Sequence, residues 1–156
     1  MNSPIQILKL MHEERSSAIC RRIIDELPGW FGIPEANDRF VREVAGLDCI
    51  AAFEGEEPIG LMSLRGADES IVEIHWLGIR PRWHRQGIGT RMMEQAFDLA
   101  RQKGFKTMTV DTIHPRDPDP GYIATRAFYS KCGFSIFGEY NLDDPINPIC
   151  RMRRSL

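Results

Sequence analysis

The stretch "SIVEIHWLGIRPRWHRQGIGTRMMEQAFDLARQKGF", Ser70 to Phe105, constrains the fold more than any other part of the chain. Its opening, Ser70 to Pro81, is too β-branched and apolar for a surface helix and predicts a central strand. Ile88, Met92, Met93, Ala96, Phe97 and Ala100 then recur at helical spacing until "KGF" ends the pattern. A strand that passes through a Gly-x-Gly turn into a helix calls for a layered fold, with the sheet inside and the helix on one face.

The flanking segments extend this pattern. "IQILKL" (Ile5 to Leu10) reads as a strand, His12 to Leu27 and Pro34 to Ala45 as helices, and Cys49 to Glu54 with Pro58 to Leu64 as a hairpin. "FKTMTVDTI" predicts a strand, "YIATRAFYSKC" a short helix closed by Gly133, and "FSIFGEYNL" and "PICRMRRSL" two final strands. The expectation is an α/β (α+β) mixed sheet with helices on both faces. With no repeats and no low-complexity linker, residues 1–156 read as one domain, large enough to bury roughly 70% of its unfolded surface.

Several function classes are set aside by what the chain lacks. A net charge of −2 and a single short basic loop do not make a nucleic-acid-binding face. No apolar run nears the ~20 residues of a membrane span, and the first residues lack a secretory pattern, so the expected location is the cytoplasm. Cys20, Cys49, Cys132 and Cys150 are scattered and read as buried free thiols. "HEERS" at His12 lacks the second histidine of a zinc motif, so no metal is expected.

The turn itself carries chemistry. Gly87 and Gly89 remove Cβ atoms at a helix entrance, where unpaired N–H groups and the helix dipole favour an anion such as a phosphate. Arg80, Arg82, Arg85 and Arg91 surround it with no acid between them. Met92 stands where a dinucleotide fingerprint needs a small residue, and no Walker lysine follows.

"GIRPRWHRQGIGTRMMEQA" resembles the acyl-coenzyme A signature of the GNAT superfamily of N-acetyltransferases, Q/R-x-x-G-x-G/A, with His84 in its first position and Gly87 and Gly89 as its glycines. The resemblance extends from Cys49 to the C-terminus; the N-terminal helices match only in kind. It implies a twisted, mostly antiparallel sheet with a splayed strand pair, and acetyl-CoA as co-substrate. Arg85, Gln86, Gly87, Ile88, Gly89 and Thr90 would hold the diphosphate, and Leu77, Gly78 and Ile79 would pair with the pantetheine arm at a strand bulge.

In the preceding strand, alternation places Glu73 and His75 on one face. A carboxylate there is either a solvated or ion-paired group near the strand start or a general base. The family often carries its glutamate base on this strand, which favours Glu73, with His75 as the rival. In "GYIATRAFYSKCGF", Phe128 reads as core and Tyr129 as turned elsewhere. "AFYSKCGF" is similar to the family's FYxxxGF element, which implies Tyr129 as the acid that protonates the departing thiolate. Tyr122 and Thr125 replace the family's Asn-x-x-Ala. Asp117 and Asp119 either attract a cationic amine or form a solvated turn.

The resulting expectation is acetyl transfer to a primary amine of a small molecule or peptide, and the resemblance admits a homodimer. The rival from another class is a non-catalytic acyl-CoA sensing or partner-binding module, which would keep the loop without needing Glu73 or Tyr129.

Overall fold

In the computed structural model, which describes residues 3–156, strands and helices follow in the order that the sequence periods lead one to expect. The order is β1 (Ile5–Met11), α1 (Arg15–Asp25), α2 (Pro34–Val44), β2 (Asp48–Glu54), β3 (Glu57–Gly66), β4 (Ile71–Ile79), a 3-10 turn at Pro81–Trp83, α3 (Ile88–Gln102), β5 (Thr107–Ile113), α4 (Pro120–Lys131), β6 (Ser135–Tyr140) and β7 (Ile149–Ser155). The seven strands have the order β1-β2-β3-β4-β5-β7-β6. Pairing is parallel for β4–β5 and antiparallel for β1–β2, β2–β3, β5–β7 and β6–β7. Helix α1 is shorter than its apolar period, beginning at Arg15 and ending at Asp25, because Pro28 and Gly29 follow closely. Among the described residues no helix is long and apolar enough to cross a membrane.

Internal packing divides the chain into two compact units. One comprises the chain up to Arg65 together with His75–Leu99, the other Gly66–Ile74 with Ala100–Leu156. In the first unit, Ile19, Ile23 and Ile24 of α1 fall on one helical stripe and bury against Cys49, Ala51 and Trp76 of the sheet. Burial pushes the thiols of Cys20 and Cys49 up to about 12 and about 11, and both are free, as the scattered spacing suggested. The β2–β3 hairpin turns at Gly55, whose φ of 61° is the left-handed conformation that glycine adopts cheaply.

In the second unit, Met108 and Val110 of β5 and Cys150 and Met152 of β7 are buried. Helix α4 opens on Asp119, whose carboxylate accepts from the Gly121 N–H at 2.8 Å, with Pro120 in its first turn. Arg126 ties the helix to the end of β5 by donating to the Ile113 and His114 carbonyls (2.7 and 3.2 Å).

Candidate active site

Beyond β4, Pro81 starts the 3-10 turn, and two residues then take left-handed conformations, Arg85 (φ 61°) and Gly87 (φ 76°), before α3 begins at Ile88. Left-handed residues alternating with ordinary ones turn successive N–H groups toward one side, which makes a concave anion site. This one opens at the positive end of α3, whose first turn contains no acid. The loop's side chains largely hold the loop itself. His84, at the first motif position, donates from Nε2 to the Ile79 carbonyl (2.5 Å), and the Gln86 amide donates to the Arg82 carbonyl (3.2 Å). Arg85, Gln86, Gly87 and Thr90 are exposed, Ile88 and Gly89 are buried, and the Arg85 guanidinium has no ion pair among the described residues.

The structure corrects the reading of four arginines surrounding the turn as local positive charge. Arg80 is buried: it bonds Glu26, Glu57 (2.7 Å) and the Pro58 carbonyl (3.1 Å), with its guanidinium over Trp83. Arg91 donates to the Ile5 carbonyl (3.1 Å). Neighbouring carboxylates 23 and 54 residues away thus neutralise a charge that the local sequence leaves unopposed. For Gly87, no atom lies within 4 Å of where a Cβ would stand, so only its dihedral resists substitution. Gly87→Ala is expected to cost ~1–2 kcal/mol and to lower Tm by roughly 2–8 °C in calorimetric scans. An unchanged Tm would show that the loop relaxes.

Strand β4 contains a break in its alternation. The His75 ring meets Ser63 Oγ through Nδ1 (2.9 Å) and Glu43 of α2 through Nε2 (2.5 Å), and stands edge-on to Phe40. The next residue, Trp76, packs on Phe31 and lies in the same helix-covered cluster as α1. Two consecutive side chains on one side are the mark of a β-bulge. The bulge falls at His75–Trp76, ahead of the expected Gly78. Gly78 is small for another reason: a Cβ there would lie 2.5 Å from Trp76 Cη2 and 2.9 Å from Ile23 Cγ2. His75 keeps partial exposure although its side chain is only 2% exposed, so the open surface at the bulge is main chain.

Both His75 nitrogens are engaged, which makes the residue a bridge from β3 to α2. Burial pushes the Glu43 carboxyl up, but the hydrogen bond and charge of His75, with Arg65 and Arg39, outweigh it and hold the group below its ordinary value. A carboxyl lowered on folding stabilises above its unfolded pKa and loses that contribution as pH falls through the folded one. Below about pH 4.3, the wild-type Tm should therefore fall more steeply than that of Glu43→Gln. Parallel curves would place the acid sensitivity elsewhere.

In the second unit, Glu73 is half-buried and lies in register with Thr109, which is in turn opposite Arg153. Tyr129 differs from expectation. It is the buried residue, at 5% exposure, while Phe128 is only half-buried. Gly133, at φ 92°, turns the chain so that the Phe134 N–H bonds the Tyr129 carbonyl (3.0 Å) and its ring meets the tyrosine edge-on. Burial pushes the Tyr129 hydroxyl well above the ordinary phenol range, so it is a neutral donor. Asp119 caps α4, and Asp117 accepts from the Asp119 N–H (2.9 Å), so both do the work of a turn. Thr125 bonds its own helix at the Gly121 carbonyl (3.0 Å). Glu43 and Ser63, the partners of His75, left no trace in the sequence because they stand 32 and 12 residues away.

The family model described as the acetyltransferase (GNAT) family matches residues 13–134. Among curated proteins no match was found. Of the solved structures, a GNAT-family protein from Desulfovibrio desulfuricans has a TM-score of 0.81 at 17% identity, covering 97% of this chain and 99% of its own. A GNAT family acetyltransferase from Elizabethkingia anophelis with acetyl-CoA bound has 0.72 at 18%, covering 97% and 98%. PaiA N-acetyltransferase from Thermoplasma acidophilum in complex with coenzyme A has 0.74 at 16%, covering 98% and 99%. At such identities these structures speak for the fold, while the family model, which spans most of the sequence, speaks for descent: the chain belongs to the GNAT family of acetyltransferases.

Proposed function

We propose that the chain transfers an acetyl group from acetyl-CoA to a primary amine of a small molecule or peptide, binding the carrier's diphosphate with main-chain N–H groups of residues 85–90. The observation that carries this reading is the left-handed pair Arg85 and Gly87 at the acid-free entrance of α3. Relatives crystallised with acetyl-CoA or coenzyme A support it. Leu77, Gly78 and Ile79, just past the bulge, supply strand main chain to the pantetheine arm.

As the new N–C bond forms, Glu73 takes a proton from the amine, directly or through water. The tetrahedral intermediate then collapses, the C–S bond breaks, and the sulfur leaves as thiolate. Tyr129 donates a hydrogen bond to that sulfur. Because its buried phenol holds its proton more tightly than a thiol of pKa ~8.5 does, its contribution is to stabilise the developing charge, and solvent completes the protonation.

Calorimetry with millimolar acetyl-CoA and coenzyme A, followed by thiol release across a panel of amines, tests the proposal. Binding with steady release upholds it. Binding without release from any amine identifies a non-catalytic acyl-CoA sensor, and no binding removes the proposal altogether.

A further inference from the structure

The face of the second unit that carries Glu73 also carries a gap with aromatic walls. Register places Glu73, Thr109 and Arg153 in one row across β4, β5 and β7, with Glu73 and Arg153 Cα atoms roughly 9–10 Å apart and their side chains on the same side. Beyond Arg153, β6 bulges between Ile136 and Gly138, so Phe137 and Gly138 together oppose Arg151. Phe137 lies under the Arg153 guanidinium at 4.8 Å, and Tyr140 lies under that of Arg151 at 5.2 Å. Between the two rings Gly138 has no side chain, leaving an open groove of about 500 Å³ lined by Phe137, Gly138, Glu139, Tyr140 and Arg151, with Arg153 at its edge above Phe137.

Nothing in the backbone asks for glycine at this position. Gly138 has no left-handed dihedral, and the nearest atom to a Cβ built there is Arg151 Cβ at 3.9 Å. The charges in and beside the groove are unequal: Glu139, in its lining, is paired with His114 (3.0 Å). Arg151 is held by Asp111 through two bonds of 2.7 and 2.9 Å, and Tyr140 bonds the same carboxylate. Arg153 has no carboxylate partner among the described residues and is exposed. A proton acceptor, an uncommitted cation and an apolar slot therefore follow one another across a single sheet face.

We propose that this groove is the acceptor subsite and that the acceptor is a small anionic amine, carrying a carboxylate for Arg153 and an aromatic or branched apolar group for the slot between Phe137 and Tyr140. The inference rests on the acetyl-transfer reading, with Glu73 receiving the amine. Its test is thiol release from acetyl-CoA with glycyl-L-phenylalanine, its C-terminal amide and glycylglycine, together with calorimetric binding of the same three compounds. Wild type should show a KM for glycyl-L-phenylalanine roughly 10- to 100-fold below that of the amide. In Arg153→Gln that ratio should fall to near one, and Arg153→Lys should restore part of it. Gly138→Leu should erase the preference for glycyl-L-phenylalanine over glycylglycine.

Turnover of all three compounds without these preferences, or with preferences that neither variant moves, overturns the subsite and leaves the transfer reading intact. Absence of release from any amine, with glycyl-L-phenylalanine binding still lost in Arg153→Gln, removes the transfer reading and leaves the groove's ligand class. Neither release nor binding removes both. A dimer that Gly138→Leu dissociates in ultracentrifugation, with selectivity unchanged, makes a second copy the occupant and overturns the proposal.

Discussion

Glu73→Gln is expected to lower kcat/KM for any productive amine by about 10²- to 10⁴-fold, the usual worth of a positioned proton acceptor. Amines like that of lysine, with pKa near 10.4, are almost wholly protonated at neutral pH and cannot attack a thioester until the proton is removed. With the carboxylate gone, the rate should follow the fraction of acceptor that solvent has already deprotonated. The variant's pH profile therefore should climb toward high pH and approach that of the wild type there. Acetyl-CoA affinity, measured by calorimetry, should stay within about twofold, since the substitution leaves the loop of residues 85–90 untouched. A variant with the wild-type rate and pH profile would exclude Glu73 as the base. His75→Gln is the informative companion, because the ring's bonds to Ser63 and Glu43 make it a bridge. Its expected effect is a lower Tm with the pH profile preserved.

Gly78→Ala is expected to cost ~1–3 kcal/mol, the range for overpacking a well-filled core, and to lower Tm by roughly 2–12 °C. The added methyl would overlap the Trp76 ring at 2.5 and 2.9 Å and Ile23 at 2.9 Å. Trp76 cannot step aside, because it is 3% exposed and stacked on Phe31. Trp76→Phe removes the ring atoms that collide. Combined with Gly78→Ala, it should cost at least 0.5 kcal/mol less than the two single changes summed. Strict additivity in denaturant titrations would show that the methyl is accommodated elsewhere.

Element types were legible because each is written in a few adjacent residues. The apolar period of α3, the Pro34 start of α2 and the Gly55 turn each act within one or two helical turns or one hairpin. The glycine turn at the entrance of α3 was legible for the same reason, since glycine at a helix entrance is a local signal. What the sequence misread are cases where a distant residue intervenes. Arg80 looked like part of a cationic rim until Glu26 and Glu57 came to it. Tyr129 looked more open than Phe128 until the chain folded Phe134 over it.

By itself, then, the sequence determined the order of strands and helices, the glycine turn into α3 and the family to which these belong. Tertiary structure alone decided that the bulge lies at His75–Trp76, that His75 is bonded at both nitrogens, and that Glu73 shares a sheet face with Arg153 and the gap at Gly138. The physical reason is range. Backbone preference and periodicity act between neighbours, whereas strand register and side-chain burial depend on segments tens of residues apart meeting in one arrangement.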